Sequence, residues 1–346
     1  MVFGAGQVGR ALSARLVRLG LPVRAVSRHR PSTLADGVDW RAADASDPKA
    51  AIDAAEGAAV IYQCLNAPYT SWPEHFPSLQ RGVLSAAESQ SALLVSLENV
   101  YGYGPAGDKP MTEDLPLSAT TVKGRTRAAM TQELLDAAEA GLVRIAIGRA
   151  SDFFGAGVTE STLGERVFAN ALAGKRADFL GNPDLPHTYS YVLDIAAGLA
   201  TLGTDDRAAE GVWHLPGPET VTTREILALI AREVGHPVAV RTMPNLLVRA
   251  VGLVNPMMWG LAEMAYEFEE PFVLDTSKYE STFGDTGTPL AAAITTTLAW
   301  YRGLDADTEP APALPASRSS ARPTPKARPA DQEYEAVLPG ADLARD

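Results

Sequence analysis

The chain has one cysteine, Cys64, among 346 residues. A single thiol cannot close an internal disulfide or build a thiolate metal cluster, and it suits a reducing compartment. Basic residues are in deficit, with 30 Lys and Arg against 42 Asp and Glu and a formal net charge of -12. An acidic chain repels phosphate backbones, so nucleic acid is not an expected partner. A clean membrane-spanning run is also lacking. The most apolar long stretch, 246–266, is interrupted by Arg249, Asn255, Pro256 and Glu263. No basic-then-apolar leader opens the sequence, and the expectation is a cytoplasmic protein without a membrane partner. His29, His75, His187, His214 and His236 show no metal-ligand spacing, so no metal is expected. Neither a G-x-S-x-G elbow, a P-loop nor an internal repeat is found.

What is present is an alternation. Val23–Val26, Ala59–Tyr62, Leu93–Ser96 and Val143–Ile147 read as short strands, rich in β-branched and aliphatic residues. Between them lie helix-period stretches. Gln7–Leu19 places Val8, Leu12, Leu16 and Leu19 on one face, and Arg125–Ala140 is rich in Ala, Leu and Glu. Strands alternating with helices predict a doubly wound α/β fold around a parallel sheet. The length allows about two lobes of roughly 150 residues. We expect a dinucleotide-binding domain over 1–155. A mainly substrate-binding lobe would follow over 156–304, with segments returning to the sheet. In that lobe Thr222, with Glu225 three residues on, predicts a capping box opening a helix that ends at Gly235. From 305 to 346 the chain turns Pro/Ala-rich and loses aliphatic periodicity, so disorder is expected there. Only Met1, Val2 and Phe3 precede the first glycine loop. A buried strand usually has about 5–6 residues, so the sequence is expected to begin inside its first strand.

That loop is Gly4-Ala5-Gly6-Gln7-Val8-Gly9. It follows an apolar pair and opens an amphipathic helix, which is the setting a dinucleotide fingerprint requires. Gly4 permits the turn, Gly6 lets the backbone approach a pyrophosphate, and Gly9 lets the helix pack on the strand. The helix start offers free N–H groups and a positive dipole end to the phosphates. The end of the second strand reads Val26-Ser27-Arg28-His29-Arg30, without the acid that holds ribose hydroxyls in NAD sites. Ser27 and Arg28 would instead suit a 2′-phosphate, which points to NADP with NAD as the other option.

With these motifs the chain resembles the extended and atypical short-chain dehydrogenase/reductases, the NAD-dependent epimerase/dehydratase group, over about residues 1–303. The resemblance rests on the glycine loop, Ala43-Asp44-Ala45-Ser46-Asp47, Asn66-Ala67-Pro68, Val100-Tyr101-Gly102, Gly148–Gly155 and His187–Asp194. It implies that Asp44 contacts the adenine and that Asn66 and Ala67 pack against the cofactor. It also implies a Tyr four residues before a Lys, so that the pair moves a proton and holds the nicotinamide ribose. Lys123 matches the Lys, but Ala119 stands at the Tyr position, and Leu97, beside Ser96, stands where a helper hydroxyl is expected.

Candidate replacements are Thr120, Thr121, Glu98, Glu113, His187 and above all Tyr101 and Tyr103. Lys123 and Tyr101 are the expected catalytic residues. Trp72, Tyr103 and His187 are the expected substrate contacts, with Trp72 in an aromatic stretch after the fourth strand, near the carboxyl ends where such folds bind ligands. The functional reading is an NAD(P)-dependent oxidoreductase or epimerase acting on a small polar molecule, sugar-like or carbonyl. The alternative is a non-catalytic dinucleotide sensor of the same fold. A homodimer is left open. Deleting residues 308–346 should leave the melting temperature and dinucleotide affinity unchanged within error, because the segment has little apolar surface to bury. Thermal melts and calorimetry of the truncated chain check this.

Overall fold

The computed structural model describes residues 1–303 except 244–247, 249–251 and 253–254. The expected disorder of 305–346 lies outside the described residues. In chain order the strands are β1 (Val2–Phe3), β2 (Val23–Ser27), β3 (Val38–Ala42), β4 (Val60–Gln63), β5 (Leu93–Asn99), β6 (Arg144–Ala150) and β7 (Asp152–Phe154). They continue with β8 (Ala177–Leu180), β9 (Pro186–His187), β10 (Tyr189–Tyr191), β11 (Gly211–His214), β12 (Val221–Thr222) and β13 (Val240–Met243). Seven of them form one sheet in the order β11-β6-β5-β4-β1-β2-β3. Every neighbour pair in it is parallel. The remaining strands pair as β7 with β10, β9 with β12 and β8 with β13.

Period-two alternation makes both faces of the sheet apolar, as a parallel sheet requires. Val2, Tyr62, Val95 and Ala146 belong to one core with α1 (Gln7–Arg18) and a later helix, Val192–Thr204. Phe3, Ile61, Leu94, Ile145 and Ile147 belong to the other, with α2 (Pro48–Ala54), α3 (Trp72–Gln90) and α4 (Val122–Glu139). The expected α/β fold with a parallel sheet is what forms.

The differences in detail have local causes. β3 reads Val-Asp-Trp-Arg-Ala and lies at the sheet edge, where charge is tolerated and periodicity is weak. α2 starts on Asp47, whose side chain accepts from the N–H groups of Lys49 and Ala50, with Pro48 in the first turn. The aromatic stretch after the fourth strand is the first turn of α3, again with a proline, Pro73, at the start. α4 begins at Val122, three residues before the expected start, because the Thr121 hydroxyl accepts from the Gly124 N–H and caps it. The capping box of Thr222 and Glu225 forms as expected, and the helix ends on Gly235 in the left-handed region. No helix among the described residues is long and apolar enough to cross a membrane.

Beneath the carboxyl edge of the sheet runs a buried polar chain. Glu98 on β5 accepts from Thr131 at 2.7 Å and from the Arg149 guanidinium at 3.3 Å. Arg149 donates to the Tyr103 hydroxyl, which lies 2.7 Å from His214 Nε2. Buried Arg127 donates to the Leu97 carbonyl and lies over the Phe76 ring. One buried carboxylate thus faces two buried guanidiniums, and removing it leaves uncompensated charge. Glu98→Ala should therefore cost about 3–5 kcal/mol of stability, read as a lowered denaturant midpoint in urea unfolding.

Candidate active site

Strand order reverses between β1 and β4, and in open α/β sheets that switch point is where ligands bind. The Gly4–Gly9 loop occupies it. Gly4 has φ +103° and donates its N–H to the Val26 carbonyl at 2.9 Å. A Cβ on Gly9 would lie 1.8 Å from the Gly4 carbonyl oxygen, so α1 can pack on β1 only with glycine there. A Cβ on Gly6 would meet nothing within 4 Å. The space over Gly6 is open, and α1 begins beside it with no side-chain cap on its first N–H groups. Val8 is buried and anchors the turn, whereas Gln7 is exposed and its Cγ lies within 3.6 Å of a Cβ built on Gly157. An open cradle of free donors at a helix start fits a pyrophosphate.

At the far end of the crevice the Ser27 hydroxyl donates to the His29 carbonyl at 2.8 Å and accepts from the Trp40 indole at 3.0 Å. Its only proton is thus used within the turn. Arg28 is exposed beside it. Asp44 accepts from the Ser46 N–H and hydroxyl, which hold its carboxyl below the usual range, with Arg28 adding to the effect. In the loop after β4, Asn66 is exposed and Ala67 is buried, its carbonyl accepting from the Trp72 indole at 3.2 Å.

The opposite end is crowded with ionisable groups. Lys123, in the first turn of α4, is buried. Its ammonium reaches Glu263 at 3.2 Å and the Gly260 carbonyl at 3.4 Å, and lies over the Tyr69 ring, 4.3 Å from its centroid. Its backbone N–H also donates to Glu263, which therefore caps α4 from outside. Two of the three ammonium N–H groups thus have acceptors within reach. Ala119 precedes α4 and its Thr121 cap, so it does not share a helix face with Lys123.

Tyr69 and Glu267 act on Lys123 or are acted on by it, and Tyr101, Asp152 and Tyr266 belong to the same set of interacting groups. Tyr101 is stacked on Trp72, with ring centroids 5.8 Å apart. Its phenol is pushed well above the ordinary tyrosine value, first by burial and then by the Glu267 and Asp152 carboxyls. Asp152 lies 3.0 Å from His187 Nε2, and His187 Nδ1 lies 3.2 Å from the Glu267 carbonyl. The imidazole is held flat between Phe268, Phe272 and Tyr189.

Of the sequence candidates, the fold thus brings together Lys123, Tyr101, Trp72 and His187. Trp72 is buried packing against Tyr69, Phe76 and Tyr101 rather than an open surface. Tyr103 and Glu98 belong to the buried chain under the sheet, and Glu113 accepts from the His214 N–H. Thr121 is spent as a cap, and the Thr120 carbonyl accepts from Arg125. Tyr69, Asp152, Glu263 and Glu267 were not foreseen. Asp152 stood inside the Gly148–Gly155 motif, which was the only signal for any of them. No group of three or more His, Cys, Asp or Glu with metal-holding geometry occurs among the described residues.

Comparison with known proteins adds to this geometry. A model of the NAD dependent epimerase/dehydratase family matches residues 1–213. The dTDP-6-deoxy-L-talose 4-dehydrogenase (NAD(P)(+)) of Kitasatospora kifunensis is 28% identical over 268 residues, covering 70% of this chain and 80% of that protein. The UDP-glucuronic acid 4-epimerase of Bacillus cereus in complex with NAD superposes with a TM-score of 0.69 at 15% identity, over 88% of this chain and 98% of its own. A dTDP-glucose 4,6-dehydratase from Streptomyces venezuelae with NAD bound gives 0.71 at 17% identity, over 87% and 96%. These likenesses of structure show the shared fold.

The open space over Gly6 yields a direct test. Gly6→Val fills the cradle without striking the protein, so dinucleotide affinity should fall at least about a hundredfold, or about 2.8 kcal/mol, with an unchanged melting temperature. Gly9→Ala should instead lower the melting temperature, because its Cβ strikes the Gly4 carbonyl. Calorimetric titration and thermal melts of the two variants separate ligand space from packing space.

Proposed function

The chain belongs to the NAD-dependent epimerase/dehydratase family, and on that premise we propose that it is an NAD(P)-dependent oxidoreductase or epimerase acting on a secondary alcohol or ketone of a sugar-like molecule. The observation that carries this reading is that the open Gly4–Gly9 cradle, after β1, and Lys123 among ionisable side chains, after β5, lie at the same carboxyl edge of one parallel sheet. When bound, the nicotinamide would supply the two-electron exchange with the substrate carbon. The chain's own part is to bind, orient and move a proton.

Gly6, Gln7, Val8 and Gly9 would present backbone N–H groups to the pyrophosphate, while Gly4, its own N–H bonded to Val26, would hold the turn. Asp44, Asn66 and Ala67 would flank the adenosine and the start of the nicotinamide half. Lys123 would give its remaining N–H to the nicotinamide ribose, fixing the ring before chemistry. Tyr101 would hydrogen-bond the substrate oxygen, and His187, fixed between aromatic rings, would border the sugar. Trp72 supports Tyr101 from behind. Residues beyond 155 would supply most of the substrate side.

For the cofactor we favour NADP. No acid ends β2, Arg28 is exposed there, and the Ser27 hydroxyl is already engaged, so a 2′-phosphate would be held chiefly by Arg28. For the substrate we favour a hexose linked to a nucleoside diphosphate. The support is that the curated relative is named for a dTDP-deoxysugar.

The test is oxidation of dTDP- and UDP-hexoses and reduction of their keto forms, followed at the nicotinamide absorbance with NAD and NADP in parallel. Turnover is expected with at least one pair. Lys123→Ala should lower kcat more than it raises the dinucleotide Kd. Arg28→Ala should weaken NADP by about 1.5–3 kcal/mol, the worth of a charge-assisted contact, and leave NAD within error. Equal weakening of both cofactors would overturn the NADP assignment. Absence of turnover across the panel, with tight dinucleotide binding, would overturn the enzymatic reading.

A further inference from the structure

The proposed function leaves one chemical question open within its own site. A tyrosine that hands its proton to a developing alkoxide must be able to carry the negative charge left behind, or be reprotonated as it gives. Tyr101 cannot carry that charge easily, because burial and neighbouring carboxyls oppose ionisation of its phenol. A neighbouring acid that reprotonates the phenol as it gives its proton would remove that cost.

Glu267 meets the requirement. It lies on a short 3-10 turn, Ala265–Phe268, near enough to Lys123 and Tyr101 for the charges to be felt, and is 2% exposed. Its Oε1 is buried without a hydrogen-bond partner. Its backbone carbonyl is tied to His187, and the next side chain, Phe268, stacks on the same imidazole, so the turn is held rigidly. The groups acting on it are Asp152 from β7 and Lys123 from α4. Glu267 in turn acts on Tyr69, Tyr101, Tyr189 and Tyr266, which surround it. No guanidinium is among these groups. A carboxyl shut off from bulk solvent and near another carboxyl keeps its proton. Burial first, and Asp152 second, push Glu267 well above the ordinary glutamate value, while the Lys123 ammonium pulls the other way.

We propose that Glu267 is the proton store of this site, exchanging its proton with the substrate oxygen through the Tyr101 phenol. In the reducing direction the substrate carbon receives the hydride of the reduced nicotinamide dinucleotide. The carbonyl π pair moves to oxygen and takes the Tyr101 proton, and Tyr101 takes the proton of Glu267, directly or through one water. The products are the alcohol, the oxidised dinucleotide and a Glu267 carboxylate that solvent reprotonates. In the oxidising direction each transfer reverses, with ionised Glu267 as the final acceptor. Lys123 favours that ionised state, which gives this lysine a second task besides orienting the ribose. By acting through Tyr101, Glu267 is a positioning residue in the proton path.

The assignment rests on the enzymatic reading, and its test separates the two. In the unliganded full chain, infrared difference spectra should show a carboxylic C=O stretch at pH 7 that Glu267→Gln removes and that Asp152→Asn shifts to a lower titration midpoint. Stability supplies a second readout. A group whose folded pKa is raised contributes stability fully present below its unfolded pKa and lost as pH rises through its folded pKa. Glu267→Gln cannot ionise, so it should melt with wild type near pH 4 and several degrees above it near pH 8. A merely structural glutamate would give the opposite sign.

In turnover, Glu267→Gln should lower kcat about a hundredfold, within the range of general acid–base catalysis. Dinucleotide Kd should stay within error, and oxidation should no longer rise with pH. An infrared spectrum without that band, a Gln variant less stable than wild type at pH 8, or wild-type kcat in the Gln variant would each overturn the assignment. Absence of wild-type turnover overturns the enzymatic reading and the relay with it. Wild-type turnover that survives Glu267→Gln overturns the relay alone.

Discussion

The fit of Gly9 against the Gly4 carbonyl is the contact on which the rest of the site depends. It lets α1 start directly on the end of β1, at the point where the sheet reverses its direction of growth. Because every neighbouring pair in the sheet is parallel, the loops after β1, β4, β5 and β6 all emerge at one edge. Residues as distant in sequence as Gly6, Asn66, Tyr101 and Asp152 are therefore delivered to that one edge. No side chain needs to be specially directed for this to happen. The parallel arrangement and one tight helix–strand contact produce it.

The two ends of that crevice are electrostatically unlike. The adenosine end is exposed and carries Arg28, His29 and Arg30 on a chain that is acidic overall. A phosphate arriving there meets local positive charge and helix-start donors. The nicotinamide end is enclosed and carries Asp152, Glu263 and Glu267 around one lysine. Charges there interact in a medium that screens poorly, so each proton placed or removed is felt by its neighbours. Such a site suits proton exchange and would be a poor place to hold a phosphate. The orientation proposed for the dinucleotide accords with this contrast.

The fold was legible because periodicity survives wherever a strand is central. Val23–Val26 and Leu93–Ser96 alternate between two apolar cores and were read as strands. β3 was not, because an edge strand carrying Asp39 and Arg41 shows no such signal. α3 was hidden by its proline start and by Pro77 within it. The cofactor loop could be read because its chemistry is local and its six residues are consecutive. The proton-handling end could not. Glu263, at the end of a helix, and Glu267, on the 3-10 turn after it, lie about 140 residues after Lys123, beyond the part that the family model matches, and in sequence they are two acids among several. Tyr103 was misplaced for the related reason that Tyr101 and Tyr103, two residues apart on a 3-10 turn, face different layers.

Two buried glutamates in this chain show that burial alone does not decide what a carboxyl does. Glu98 and Glu267 are almost equally enclosed, and each has one oxygen without a hydrogen-bond partner. Glu98 lies among two guanidiniums, receives hydrogen bonds from Thr131 and Arg149, and joins β5, β6 and α4 into one layer. Its surroundings reward a fixed negative charge. Glu267 lies beside a second carboxylate and several phenols, with one ammonium already shared with Glu263. Its surroundings reward the neutral acid and make the charged form accessible only with help from Lys123. The first arrangement is a brace whose charge state does not need to change. The second stores a proton at a free-energy cost that chemistry can recover. Charge balance around the carboxyl separates structure from function here.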